Sequence, residues 1–180
     1  MKIIMTKDGH DDYLIHHGVK GMKWGVRKEQ KAQAKLAYKT NRDQIHNQAS
    51  KLYNEYAKQS RSNNLQYKSA KKDAKETYKS KAISKQEYKA KKKELLETLS
   101  KSNAQNEVNF ALGMYVVQKM HRQNSVIYNE SIDGAESKKY IKAVQRLYNP
   151  TEYFGVGNTT YGVTRTDANN FNISRTRYYY

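Results

Sequence analysis

The sequence predicts a mainly α protein: elongated basic helices with a helical hairpin, a small helical core, and a C-terminal arm that is either flexible or a β-hairpin. Three observations predict it. Residues 26–100 contain no proline or glycine and are rich in Lys, Ala, Gln and Tyr, the composition of exposed helix. Apolar residues are scarce, at 37 % of 180 positions with three Phe and one Trp, too few to close a compact globule of this length. Sixteen tyrosines offset part of that shortage, because a phenol ring packs at a half-buried seam while its hydroxyl stays wet.

Composition divides the chain into an N-terminal arm (1–25), a basic helical region (26–100), a small helical core (101–150) and an aromatic C-terminal arm (151–180). In the arm, Gly18, Gly21 and Gly25 allow tight turns, and Met22, Trp24 and Val26 alternate as on an extended segment. A first helix is expected from near Arg27, with Ile45, Ala49, Leu52 and Tyr56 in one stripe, stopping at Ser60–Asn64. A second runs from about Leu65 to Lys79 with Tyr67, Ala70, Ala74 and Tyr78 on one side. Ser84 followed by Glu87 is a capping-box signature that opens a third helix, Lys85 to about Ser100, with Tyr88, Leu95 and Leu99 facing inward. The second and third helices should form an αα-hairpin.

Residues 105–124 are the core candidate, with Val108, Leu112, Tyr115, Val116 and Met120 as the apolar face. A helix from about Ala135 to Tyr148, ended by Asn149-Pro150, turns Tyr140, Ile141, Val144, Leu147 and Tyr148 to one side, toward the core helix. The tail from Thr151 reads equally as a hairpin, Thr159–Thr166 against Phe171–Tyr178, or as a flexible arm that adds a strand to a neighbour.

Several chemistries find no support. Without cysteine there are no disulfides, thiolate zinc sites or cysteine nucleophiles. His10, Asp11, Asp12, His16 and His17 are metal-ligand types, but their spacing is not diagnostic, so neither metal nor cofactor is expected. There is no Walker loop, nucleophile elbow or dinucleotide fingerprint, and most acids are interleaved with Lys at helical spacing, so catalysis is not expected. The start, MKIIMTKDGHDD, lacks an apolar run of signal-peptide length, and Val108–Val117 is about half a membrane span. The expectation is a soluble protein made inside the cell.

The charge is more informative. Thirty-four basic and 17 acidic residues leave +17, of which residues 26–100 contribute +12. Such a field attracts nucleic acid, an anionic membrane surface or an acidic protein. Lys71, Lys72, Lys75, Lys79, Lys85, Lys89, Lys91, Lys92 and Lys93 are the candidate phosphate contacts, with nearby tyrosines to stack on bases or pack on sugars. Lysine in place of arginine favours backbone contact over base reading.

The segment Tyr13-Leu14-Ile15-His16-His17-Gly18-Val19-Lys20-Gly21-Met22-Lys23-Trp24-Gly25-Val26-Arg27 has the chemistry of a linear docking peptide. Trp24 would be its anchor and Arg27 a carboxylate or phosphate clamp. It resembles a signature of tailed-phage and prophage proteins of low-GC Gram-positive bacteria: a His-His or His-Tyr pair, then Gly-Val-Lys-Gly-Met-Lys-Trp-Gly-Val-Arg. That resemblance implies a minor structural, head-associated protein of the virion, made in the host cytoplasm and multimeric within an assembly. Its partners would be other phage structural proteins, and the basic helices could face packaged double-stranded DNA or an acidic partner. The aromatic end Tyr178-Tyr179-Tyr180 is a second docking element. Ile83–Leu96 also resembles the short helical SHOCT module, in which an Ile-Ser/Thr cap precedes an acidic-aromatic pair and a Lys-Leu-Leu ending.

Overall fold

The computed structural model describes Lys2–Ile4, Tyr13–Ile15 and Trp24–Tyr178. The element order is β1 (Lys2–Ile4), β2 (Tyr13–Ile15), α1 (Trp24–Lys79), α2 (Lys85–Asp133), α3 (Lys138–Tyr148), β3 (Thr151–Val156), β4 (Thr159–Arg165) and β5 (Phe171–Arg177). The protein is mainly helical, with three helices, two of them long, and a small three-stranded antiparallel sheet at the C-terminal end. Contacts divide it into two compact units, Ala49–Met114 and Met1–Gln48 together with Tyr115–Tyr180.

Helix α1 begins at Trp24, so Trp24, Gly25 and Val26 are helical and the extended alternation expected there is not formed. It also passes through Ser60–Asn64 unbroken, and α2 passes through 100–105 in the same way. One contact within the Ala49–Met114 unit explains both. Asn63 is 7 % exposed; its Nδ2 donates to Asn103 Oδ1 at 3.0 Å and its Oδ1 accepts from Gln59 Nε2 at 3.0 Å. Residues that would favour a turn in isolation are spent on an interhelical amide pair, and Ser and Asn cost only about 0.5–0.7 kcal/mol each relative to Ala inside a helix. Asn106 extends this polar seam, donating to the Tyr56 carbonyl and to Ser60 Oγ.

The apolar part of this seam is aromatic and close-packed. Phe110 stacks on Tyr56 at 4.7 Å and meets Tyr53 edge-on, and Leu52 fills the space beside Gly113 that a side chain would occupy. Phe110 and Ala111 are therefore buried while Val108 is 38 % exposed, a rotation of the expected apolar face. The run around Val108–Val117 is apolar nearly all round, so its periodicity left the inward face open.

The hairpin turn forms as its residues predicted. Ser84 Oγ accepts from the Glu87 amide, and Glu87 Oε2 accepts from the Ser84 amide at 2.7 Å, completing the capping box. Those bonds hold the Glu87 carboxyl below its usual range. Helix α1 ends in a Schellman motif, with Ala82 N donating to Thr77 O and Lys81 N to Tyr78 O, which places Lys81 at φ 60, where glycine is favoured.

In the other unit, buried Asn124 on α2 donates to the Tyr38 carbonyl and accepts from Asn41, both on α1, beside buried Ile45 and the Tyr38–Tyr128 ring pair. Helix α2 continues to Asp133, past the expected end near 124, and stops at Gly134, φ 83. Helix α3 is capped by Ser137, whose Oγ accepts from the Tyr140 amide. Its buried residue is Ala143, whereas Ile141 and Tyr148, expected inward, are 46 % and 79 % exposed.

The tail takes the hairpin alternative, with β4 and β5 paired from Thr159↔Arg177 to Arg165↔Phe171. A third strand was not foreseen: β3 pairs with β4 through the two-residue turn Gly157–Asn158, where Gly157 at φ 55 makes a primed turn. The inner face of the sheet buries Phe154, Tyr161 and Val163, and Phe171 meets Tyr115 of α2 edge-on at 5.3 Å. Val117 is also buried while Val116 is 56 % exposed. Glu152 of β3, 2 % exposed, faces Lys119 Nζ and Arg122 Nη2 of α2, each at 3.3 Å. Lys119 also donates to the carbonyls of Leu147 and Asn149, fastening the end of α3 to α2.

Two outcomes are expected. Lys81→Gly removes the left-handed strain and should raise hairpin stability by about 1 kcal/mol, read as slower amide exchange around the 80–84 turn; unchanged or faster exchange would contradict it. Glu152→Ala leaves two facing cations without their anion and should cost about 3 kcal/mol in chemical denaturation, the low end for a broken buried pair because Lys119 and Arg122 reach water. A loss of only a few tenths would mean that the cluster holds nothing.

Candidate nucleic-acid interface and docking segments

All nine lysines nominated for phosphate contact are exposed, at the turn end of the α1–α2 hairpin. On α1, Lys68, Lys71, Lys72, Lys75 and Lys79 follow i, i+3, i+4, i+7 and i+11, one stripe roughly 16 Å long at 1.5 Å per residue. The opposite flank carries buried Ala74 and half-buried Ala70 and Thr77. On α2, Lys85, Lys89, Lys92 and Lys93 repeat the pattern at i, i+4, i+7 and i+8, beside half-buried Tyr88, Leu95 and Leu99; Lys91 lies outside this stripe but is exposed too.

Charge is concentrated there. Residues 67–93 hold eleven lysines against Asp73, Glu76 and Glu87, a net +8, which equals the net charge of the whole Ala49–Met114 unit. The remainder of that unit is balanced. Glu87 is committed to the capping box, and the Lys72–Glu76 and Lys93–Glu97 contacts, at 3.9 and 4.0 Å, are exposed pairs worth about 0.3–0.5 kcal/mol each. The ammonium groups therefore remain available to a polyanion.

Tyr78 and Tyr88 stack on each other across the hairpin at 5.1 Å and 15°, and Tyr67 is half-buried with Lys71 Nζ 5.7 Å from its ring. The Tyr78–Tyr88 stack therefore spans the hairpin, while Tyr78 remains 37 % exposed at the cationic tip. Further along, an open groove of about 1060 Å³ follows the seam, lined by Gln59, Ser62, Gln66, Ser102, Gln105 and Asn109 among others.

Of the proposed docking segment, His16, His17, Gly18, Val19, Lys20, Gly21, Met22 and Lys23 lie outside the described residues, as do Tyr179, Tyr180 and the metal-ligand types His10, Asp11 and Asp12. Gly25 and Val26 are exposed on the first turn of α1, whereas Arg27 is only 8 % exposed and is not offered to solvent as a clamp. Tyr178 is 50 % exposed after β5, its amide bonded to the Asn158 carbonyl. Sequence reasoning missed the Glu152–Lys119–Arg122 cluster; the available signal was a lone acid at an inward position of an alternating strand. Among the described residues no helix is long and apolar enough to cross a membrane.

Each lysine that neutralises a phosphate releases condensed counterion, so log K falls with log salt at about 0.9 per contact. Replacing Lys72, Lys75, Lys85 and Lys89 by Gln should flatten that slope by about 3–4 for duplex DNA, measured by fluorescence anisotropy, while the circular dichroism spectrum is preserved. An unaltered slope would remove the tip from the interface.

A family described only as "Family of unknown function (DUF7211)" matches residues 7–31, a stretch that contains the whole Tyr13–Arg27 segment. No curated protein and no solved structure gives a significant match to the chain.

Proposed function

We propose that this chain is a non-enzymatic structural protein of a tailed bacteriophage, virion-associated in or near the head. It docks to other phage proteins through the Tyr13–Arg27 segment and its aromatic C-terminal end, with the lysine tip of the hairpin against packaged double-stranded DNA. The observation that carries the reading is the pairing of that signature with a helical hairpin whose eleven exposed tip lysines hold its unit's net charge. A capped, ring-stacked turn supports the tip, so the backbone that carries the charges is ordered before binding. Lysine ammonium groups, as strongly hydrated point charges, suit a sequence-independent backbone contact.

The concentration of charge at one end also favours a second reading, a phage nucleic-acid-binding protein made during infection that does not enter the particle. Mass spectrometry of purified virions and of infected cells separates the two. The structural reading expects the chain in virions at a stoichiometry comparable to known minor head proteins. Its presence in infected cells but not in virions would sink that reading and leave the second.

A further inference from the structure

The outer face of the β3–β4–β5 sheet is distinct from the rest of this cationic protein. The central row in register is Tyr153↔Gly162↔Ser174. A Cβ built on Gly162 would meet Tyr153 Cε1 at 2.9 Å and Ser174 Oγ at 2.6 Å, so the tyrosine ring lies across the glycine against the sheet. Its other side is free: Tyr153 is 68 % exposed. One flanking row is Thr151, Thr164 and Asn172, with the two threonine hydroxyls bonded to each other at 2.9 Å; the other is Gly155, Thr160 and Thr176.

None of these nine positions is charged, in a chain that is 28 % charged and carries +17. The β-propensity of threonine and tyrosine accounts for their presence, and the nine positions together make a neutral, hydroxyl-bearing face. A polyanion finds no cation here, and an acidic or basic protein finds no counter-charge. A second sheet would need apolar side chains to interdigitate, and only Tyr153 supplies one. What fits is a ligand that is neutral, dense in hydroxyls and apolar on one flat side. A pyranose ring has that character: its C–H face stacks on an aromatic ring, and its equatorial hydroxyls bond to hydroxyl and amide side chains.

We propose that this face binds a neutral pyranose polysaccharide, with Tyr153 as the stacking platform and Thr164, Ser174, Thr176 and Asn172 as its polar contacts. The site is independent of the lysine tip and of the phage reading. One ring and a few exposed hydroxyls give millimolar affinity for a short oligomer, raised by avidity where many copies meet one polymer.

The test is an amide-shift titration of the isotopically labelled full chain with cellopentaose, chitopentaose and maltopentaose, each to about 10 mM. At least one should shift amides confined to β3–β5. Ser174→Lys, which puts a long charged side chain beside the platform at an exposed position, should abolish the shifts without altering the fold. Tyr153→Ala should weaken binding about tenfold or more; if it unfolds the sheet, Ser174→Lys decides. No shifts with any of the three, shifts elsewhere only, or shifts unchanged in Ser174→Lys would overturn the proposal.

Discussion

A buried asparagine must find partners for its amide, and each unit of this protein is organised around one. Asn63 pairs with Asn103 in the hairpin unit, and Asn124 reaches the Tyr38 carbonyl and Asn41 in the other. An unsatisfied buried amide costs about 1–3 kcal/mol, so a slip of either helix by one residue would forfeit these bonds and leave polar groups stranded. In a chain this poor in aliphatic side chains, apolar packing alone tolerates several registers. The amides select one.

Tyrosine supplies the remaining adhesion. The Tyr56–Phe110, Tyr38–Tyr128 and Tyr78–Tyr88 pairs occur where α1 and α2 face each other within a unit, and each joins residues far apart in sequence or across a turn. Aromatic pairs contribute about 0.5–1.5 kcal/mol beyond the area they bury, and they tolerate a wet edge, which suits a thin two-helix seam. The same economy shapes the proposed interface. At the tip Tyr78 and Tyr88 stack on each other, beside the exposed lysines.

The sheet is held by a different device. Glu152 is buried against Lys119 and Arg122, and Lys119 also takes the last carbonyls of α3. A buried ion pair is a weak source of net stability but a strong discriminator between arrangements, because removing any partner leaves an uncompensated charge. It ties β3 to one position on α2 while the opposite face of the sheet stays uncharged and open.

Much was legible in the sequence alone because it rests on local chemistry. The absence of Pro and Gly from 26–100 determined helix, Ser84 and Glu87 determined where α2 starts, Asn149-Pro150 determined where α3 stops, and Asp167–Asn170 marked the β4–β5 loop. The exposure of the tip lysines followed from the same composition. Only tertiary structure decided the rest. Whether Ser60–Asn64 breaks a helix depends on Asn103, forty residues away; which side of Val108–Val117 faces inward depends on Leu52 and Tyr56 in one unit and the sheet in the other; and Gly155 and Gly157 belong to a strand and its turn because β4 lies alongside. Caps and turns are settled by neighbours along the chain, whereas a polar residue inside a helix and an apolar run without a clear period take their meaning from the partner they meet.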